Sequence, residues 1–262
     1  MICIACGDDF EELAKSHVIS NFIRKRITGL VDEKGGKKFR FTWVNRIDLP
    51  NQDLPKPNLM CKECDSELGS KVERKITNLL MPSDVDKWHE WEKLPIKSTP
   101  IFEVFDTPLM VGLYSYPIEQ QGLLDRFSMS TAWRALHDMS REGRNLSSQF
   151  LRSERGQLFD RLAKEHIFDG KPRGELRLAS LYFLGPRSAA IISGQEDEVP
   201  FAWAELGDED EILGVGVILG FWVILWPLFE CSAYEYFDKL NKLENLCFAN
   251  WVGKIKSELD PS

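Results

Sequence analysis

Positive charge is in short supply: the chain sets 33 Lys and Arg against 41 Asp and Glu, a formal charge of −8. That balance excludes a wholesale nucleic-acid coat and a basic membrane-surface protein. Histidine is scarcer still, with four in 262 residues, so acid–base chemistry near neutral pH has few places to sit. Six cysteines are too few for a disulfide scaffold in a chain of this length. No internal repeat or low-complexity tract is visible, which removes solenoids and disordered arrays. The residues Met1-Ile2-Cys3-Ile4-Ala5-Cys6 hold no basic n-region and no cleavage site, so the expectation is a cytoplasmic protein.

Long apolar runs are missing, with one exception. Ile212 to Phe229 is eighteen residues without a charge, the lower limit for a membrane span. Three glycines, a late proline and many β-branched and aromatic residues argue against a span. So do the flanks, where Asp208-Glu209-Asp210-Glu211 comes before and no Lys/Arg cluster follows. Two consecutive buried strands, bent near Gly220, account for the run, and no membrane contact is expected.

What is present is ordinary globular composition, 43% hydrophobic and 28% charged, in a chain long enough to bury a core without staples. The charge is uneven. Residues 1–80 carry 14 Lys/Arg against 12 Asp/Glu, whereas the other 182 carry 19 against 29. If any part of the chain touches a polyanion, it is the first third.

Apolar spacing predicts a helix over Ser20–Ile27, from Ile19, Phe22, Ile23 and Ile27. Lys34-Gly35-Gly36-Lys37 marks a hairpin turn before a strand at Phe39–Val44, and a loop runs from Leu49 to Asn58. A helix is expected over Asp65–Leu80, then connecting loops with one or two strands over residues 83–118. Further helices are expected at Gly122–His137 and Ser147–His166, and an amphipathic one at Ser232–Leu259. Strands are expected at Leu176–Phe183 and Ala189–Ile192, ahead of the apolar run. The acidic stretches Glu196-Asp197-Glu198 and Glu205–Glu211 read as solvated loops. The class is α+β, organised as an N-terminal zinc domain at 1–82 and an accessory α+β domain at 83–262.

Two Cys-x-x-Cys pairs, Cys3/Cys6 and Cys61/Cys64, offer four thiolates. Each pair forms a tight knuckle with both sulfurs on one ion, and two knuckles complete the tetrahedral shell that Zn²⁺ accepts. A closed shell of this kind is structural. A redox Cys-x-x-Cys is the competing reading. Cys231 and Cys247 lie in apolar surroundings and read as core thiols.

Inside this frame lie Ser16-His17-Val18-Ile19, Asn58-Leu59-Met60-Cys61, and Asp65 directly after Cys64. Here the sequence resembles the zinc-bearing HNH endonuclease superfamily, over about residues 1–80. It is most similar to a bacterial subgroup with Ser-His in place of Asp-His, and Phe127–Ala135 resembles a helix downstream in that subgroup. The resemblance implies a ββα-metal (treble-clef) fold and metal-dependent hydrolysis of DNA phosphodiesters. It implies His17 as general base, Asp65 as ligand of a catalytic Mg²⁺ or Mn²⁺, and Asn58 as the residue orienting the loop that carries the base. Such chemistry needs a base near neutral pKa and a hard cation at the leaving oxygen.

Ser16 stands where the family commonly has an acid, and a hydroxyl is a weak ligand: either another acid fills the gap, with Glu67 and Glu73 the nearest candidates, or the metal is held loosely, or catalysis has been lost. Asp65 and Glu73 are eight residues apart, about 12 Å along a helix, too far to grip one ion together. For His17 the competing role is a packed histidine at a helix start; for Asp65 it is a carboxylate favoured by the helix dipole. Arg24, Lys25, Arg26, Lys37, Lys38 and Arg40, with Lys34, form the expected DNA-binding track. His89, His137 and His166 read as structural. The resemblance further implies a defence or mobile-element setting with an ATPase or targeting subunit. The alternative function is a non-catalytic, zinc-stabilised module that binds nucleic acid or protein in a larger complex.

Overall fold

The computed structural model describes residues 1–29, 40–43, 54–80, 97–104, 107–113, 118–176, 179–183, 198–207 and 211–228. The turn at Lys34–Lys37 with Lys37 and Lys38, His89, the strand at Ala189–Ile192, and the last helix with Cys231 and Cys247 lie outside the described residues.

The N-terminal part is small. Strand β1 (Ala14–Lys15) pairs antiparallel with β3 (Asn58–Met60), with a register shift between Ala14 and Lys15. Helix α1 (Asn21–Thr28) turns Ile23 and Ile27 inward, as its apolar spacing requires. Helix α2 (Lys62–Leu68) starts three residues before the predicted Asp65, because Cys61, in extended conformation, caps it: the Cys64 N–H donates to Cys61 Sγ. A π-helical turn, Gly69–Glu73, then leads without a break into α3 (Arg74–Leu80).

Strand β2 (Arg40–Trp43) falls inside the predicted 39–44, but its partner is remote. It runs parallel to β7 (Glu198–Gly207), at the edge of a seven-stranded sheet. The order is β2-β7-β8-β9-β6-β5-β4, with β4 at Lys97–Val104, β5 at Thr107–Leu113 and β6 at Ser180–Phe183. Every pairing except β2–β7 is antiparallel. The apolar run is the hairpin β8 (Ile212–Leu219) and β9 (Trp222–Pro227). Gly220 lies at its turn with φ of +76°, a conformation glycine adopts without penalty. All but one of these strand residues are buried, which is why the run shows no polar alternation. No helix among the described residues is long and apolar enough to cross a membrane.

Strand β7 overturns the reading of Glu198 and Glu205 as loop residues. Glu205 Oε1 instead accepts the Ser147 N–H, 2.8 Å away, in the first turn of α5 (Asn145–Arg152). The predicted helix 147–166 is likewise broken. Ser153 is extended, ends α5, and caps α6 (Glu154–Lys164) by accepting the Gly156 N–H at 3.0 Å. Gly156 sits so close to the preceding helix end that a Cβ there would meet the Phe150 carbonyl oxygen at 1.8 Å.

Helix α4 (Ile118–Arg141) joins these parts. From Phe127 to Leu136 every residue is buried, so the helix is interior on all sides. It packs on β7, β8 and β9, on α5 and α6, and on α3 and β3 of the N-terminal part. Trp203 Nε1 of β7 donates to Asp138 Oδ2 at 3.1 Å, tying helix to sheet. One hydrophobic core therefore extends from Cys3 through Phe127 and Trp133 to Leu228. The α+β class holds.

Candidate functional site

Two constellations meet in the N-terminal part. The first is the cysteine cluster. Cys3 begins a tight turn in which the Gly7 N–H returns to the Cys3 carbonyl at 3.0 Å, with Gly7 at φ +80°. Cys61 directly follows β3, and the Ile4 N–H donates to the Leu59 carbonyl at 3.1 Å, so the two knuckles are stitched together by backbone. All four Sγ atoms lie within 4.8 Å of one another. A tetrahedral zinc with Zn–S bonds of about 2.3 Å needs sulfurs about 3.8 Å apart, within a small contraction of this arrangement. The Cys61 N–H points at Cys3 Sγ, 3.2 Å away, a bond that favours thiolate. Burial pushes the Cys3 thiol up, but the N–H groups of Cys61, Cys6 and Ala5 outweigh it and hold it at about 7. The Cys64 thiol is pushed up by burial and by its sulfur neighbours. A divalent cation among the sulfurs reverses that repulsion, so the donor set fits a structural metal such as zinc.

The second constellation is a cavity of about 450 Å³ between the His17 segment, α1 and the α2–α3 helix. His17 and Asp65 both line it, together with Asn21, Phe22, Ser66, Ser70, Glu73, Arg74, Thr77 and Arg134. The π turn decides this wall. Eight residues of regular helix rotate by about 80° beyond two full turns, whereas the one extra residue of a π turn brings Asp65 and Glu73 back to within about 20°. Both therefore line one cavity.

Glu73 is already engaged. Its Oε1 accepts from Ser20 Oγ at 2.6 Å and from Arg134 Nη2 at 2.8 Å. Arg134, from the middle of α4, also donates through Nη1 to the His17 carbonyl at 2.6 Å. Glu67, the other acid considered, forms an exposed pair with Lys71 on its own helix. Ser16 is buried, its N–H on the Pro57 carbonyl and its hydroxyl directed to the Ala14 carbonyl 3.5 Å away; it does not line the cavity. Asn58 begins β3 opposite Lys15, its carbonyl accepting from Arg141, and it too lies outside the cavity lining.

Of the basic track, Arg24, Lys25 and Arg26 belong to α1. Arg24 Nε donates to Asn21 at 3.0 Å, Arg26 Nη2 donates to Asn78 at 3.0 Å, and Lys25 is exposed. Arg40 is on β2, at the sheet edge. His137 accompanies Trp133 and Lys164 around Asp160, and His166 Nδ1 lies 2.8 Å from the Lys171 carbonyl.

No protein-family model, curated protein or solved structure matches the chain. The chemistry must be read from the residues. Among the described residues, the four cysteines are the only group of three or more metal-ligating side chains gathered this closely. The cavity itself offers one histidine and one uncommitted carboxylate, Asp65. Sequence reasoning missed Arg134 and Arg74. Arg134 sits 117 residues from His17, inside the Phe127–Ala135 stretch that carried a resemblance but no assigned role. Arg74 follows the π turn, whose phase shift the sequence does not announce.

Proposed function

We propose that this chain is an HNH-type nuclease that hydrolyses DNA phosphodiester bonds, with His17 as general base and Asp65 as ligand of Mg²⁺ or Mn²⁺. The observation that supports it is the shared cavity: a histidine and a carboxylate line it beside a four-cysteine cluster with the donor set of structural zinc. A divalent ion held by Asp65 would neutralise charge on the leaving oxygen. Mg²⁺ keeps several waters and is commonly held by one or two carboxylates, so a single Asp65 is a sufficient protein anchor. The imidazole of His17 takes a proton from the attacking water. The exposed Arg74 at the cavity wall offers a fork of donors to a phosphate. Lys25 and its neighbours on α1 extend the positive surface and lend salt-dependent, sequence-independent affinity. Zinc on Cys3, Cys6, Cys61 and Cys64 holds the strand into His17 and the helix bearing Asp65 in register. A defence or mobile-element setting with an ATPase or targeting subunit remains part of this proposal.

One observation favours the second reading, a zinc-stabilised binding module without catalysis: Glu73 is paired with Arg134 and Ser20, and Ser16 is turned to its own strand. The experiment that separates the two is cleavage of supercoiled plasmid and of single strands with Mg²⁺, Mn²⁺ or Ni²⁺, wild type beside His17→Ala. Removing a general base lowers the rate by about 10²–10⁴-fold. That loss is expected with zinc content unchanged. Equal nicking by the variant refutes His17 as the base.

A further inference from the structure

The segment Ser16–Ser20 that carries His17 has no regular secondary structure, and a residue without a ladder or helix must be held by something else. Val18 and Ile19 are fully buried, which anchors those two side chains but leaves the His17 peptide to be oriented. Arg134 reaches that peptide. It is 2% exposed, and its three donating nitrogens are aimed at three acceptors: Nε at its own helix, the Ser130 carbonyl, at 3.2 Å; Nη1 at the His17 carbonyl; Nη2 at Glu73. Glu73 in turn accepts from Ser20, so His17 and Ser20 are both tied to one part-buried ion pair. A guanidinium is suited to this task, because its planar fork fixes the angle between the bonds it makes. A buried ion pair is weak evidence for stability, since apolar residues of similar volume often do as well. What the pair supplies here is direction.

We propose that Arg134 is a positioning residue for His17: through the His17 carbonyl and the Glu73–Ser20 contact, it sets the orientation of the imidazole in the cavity. This deepens the nuclease reading and rests on it for its catalytic consequence. It also makes the site depend on α4, whose remaining faces pack on the seven-stranded sheet and on α6. The second half of the chain thereby holds the base in place from outside the zinc frame.

The test compares full-length wild type, Arg134→Met, Arg134→Lys and His17→Ala in two measurements. The first is metal-dependent plasmid cleavage, resolved into kcat and KM. The second is the NMR signal of the His17 ring, assigned by its loss in His17→Ala. Arg134→Met is expected to lower kcat on the order of 100-fold, as misplaced catalytic groups do, with little change in KM or zinc content. It is also expected to shift or broaden the His17 ring signal. Arg134→Lys keeps one cationic donor and is expected to recover part of kcat. An Arg134→Met protein whose kcat and His17 signal both match wild type overturns the proposal. If that variant does not fold, Arg134→Lys decides: an unchanged His17 signal and unchanged kcat overturn it. If wild type cleaves nothing with any metal, the nuclease reading fails and the ring signal alone decides. A shift in the Arg134 variants then upholds positioning, and its absence refutes it.

Discussion

Asp160 on α6 shows how firmly α4 is held from the side away from the cavity. Its Oδ1 accepts from Trp133 Nε1 and lies 2.8 Å from His137 Nε2, both on α4, while Oδ2 meets Lys164 at 2.8 Å. Burial alone would raise this carboxyl. The hydrogen bond and charge of His137, with Lys164 and Trp133, outweigh it and bring the value from 3.8 down to about 2. At 1.36 kcal/mol per pH unit, that drop corresponds to about 2 kcal/mol of folding free energy, for a side chain 19% exposed. Since the folded value lies below the unfolded one, the contribution is whole above about pH 5 and is lost as pH falls through 2. Roughly half of it is gone by pH 3. Asp160→Asn is therefore expected to be less stable than wild type by about 2 kcal/mol at pH 5, a fall in Tm of about 4–8 °C, and by about half as much at pH 3. Urea unfolding at the two pH values measures it. A difference below about 0.5 kcal/mol at pH 5, or one equally large at pH 3, refutes the assignment of this stability to the Asp160 cluster.

Two further outcomes test the zinc frame and the packing beneath α1. Cys61→Ser keeps a good helix cap, since a serine hydroxyl accepts the Cys64 N–H as the sulfur does, but removes a thiolate. It should lose bound zinc by metal analysis and open residues 1–80 to protease; full zinc retention would refute Cys61 as a ligand of the shared ion. Gly220→Ala places a Cβ at φ +76°, 2.4 Å from Ile27 Cδ1 and 3.1 Å from Val199 Cγ1, and is expected to destabilise by about 2 kcal/mol. Ile27→Val removes the closest atom, so the double variant should be more stable than the sum of the single changes predicts; strict additivity in denaturant melts would refute that contact.

How much was legible in the sequence depends on how local the determinant is. The cysteine pairs were readable because two-residue spacing is a property of the chain, and their sulfurs do gather. Helix α1 and the β8–β9 hairpin were readable from apolar period and from Gly220. Strand β7 was not, because its acidic residues mask the apolar pattern and its partners β8 and β2 and the helix α4 packed on it are set by the tertiary fold. The break at Ser153 was missed because the flanking helices share a continuous apolar pattern, and only the Gly156–Phe150 approach forces the bend.

By itself, then, the sequence determined the cysteine pairs and the α+β class, which depend on residue type and short spacing, whereas His17 and Asp65 were expected only from the family resemblance. The tertiary structure decided the rest: β2 crossing to the far sheet, Asn58 outside the cavity, Glu73 bound to Arg134 and Ser20. These depend on which surfaces meet when a helix buried on every side packs between two parts of the chain. Contacts spanning 61 and 117 residues leave no periodic trace in the sequence.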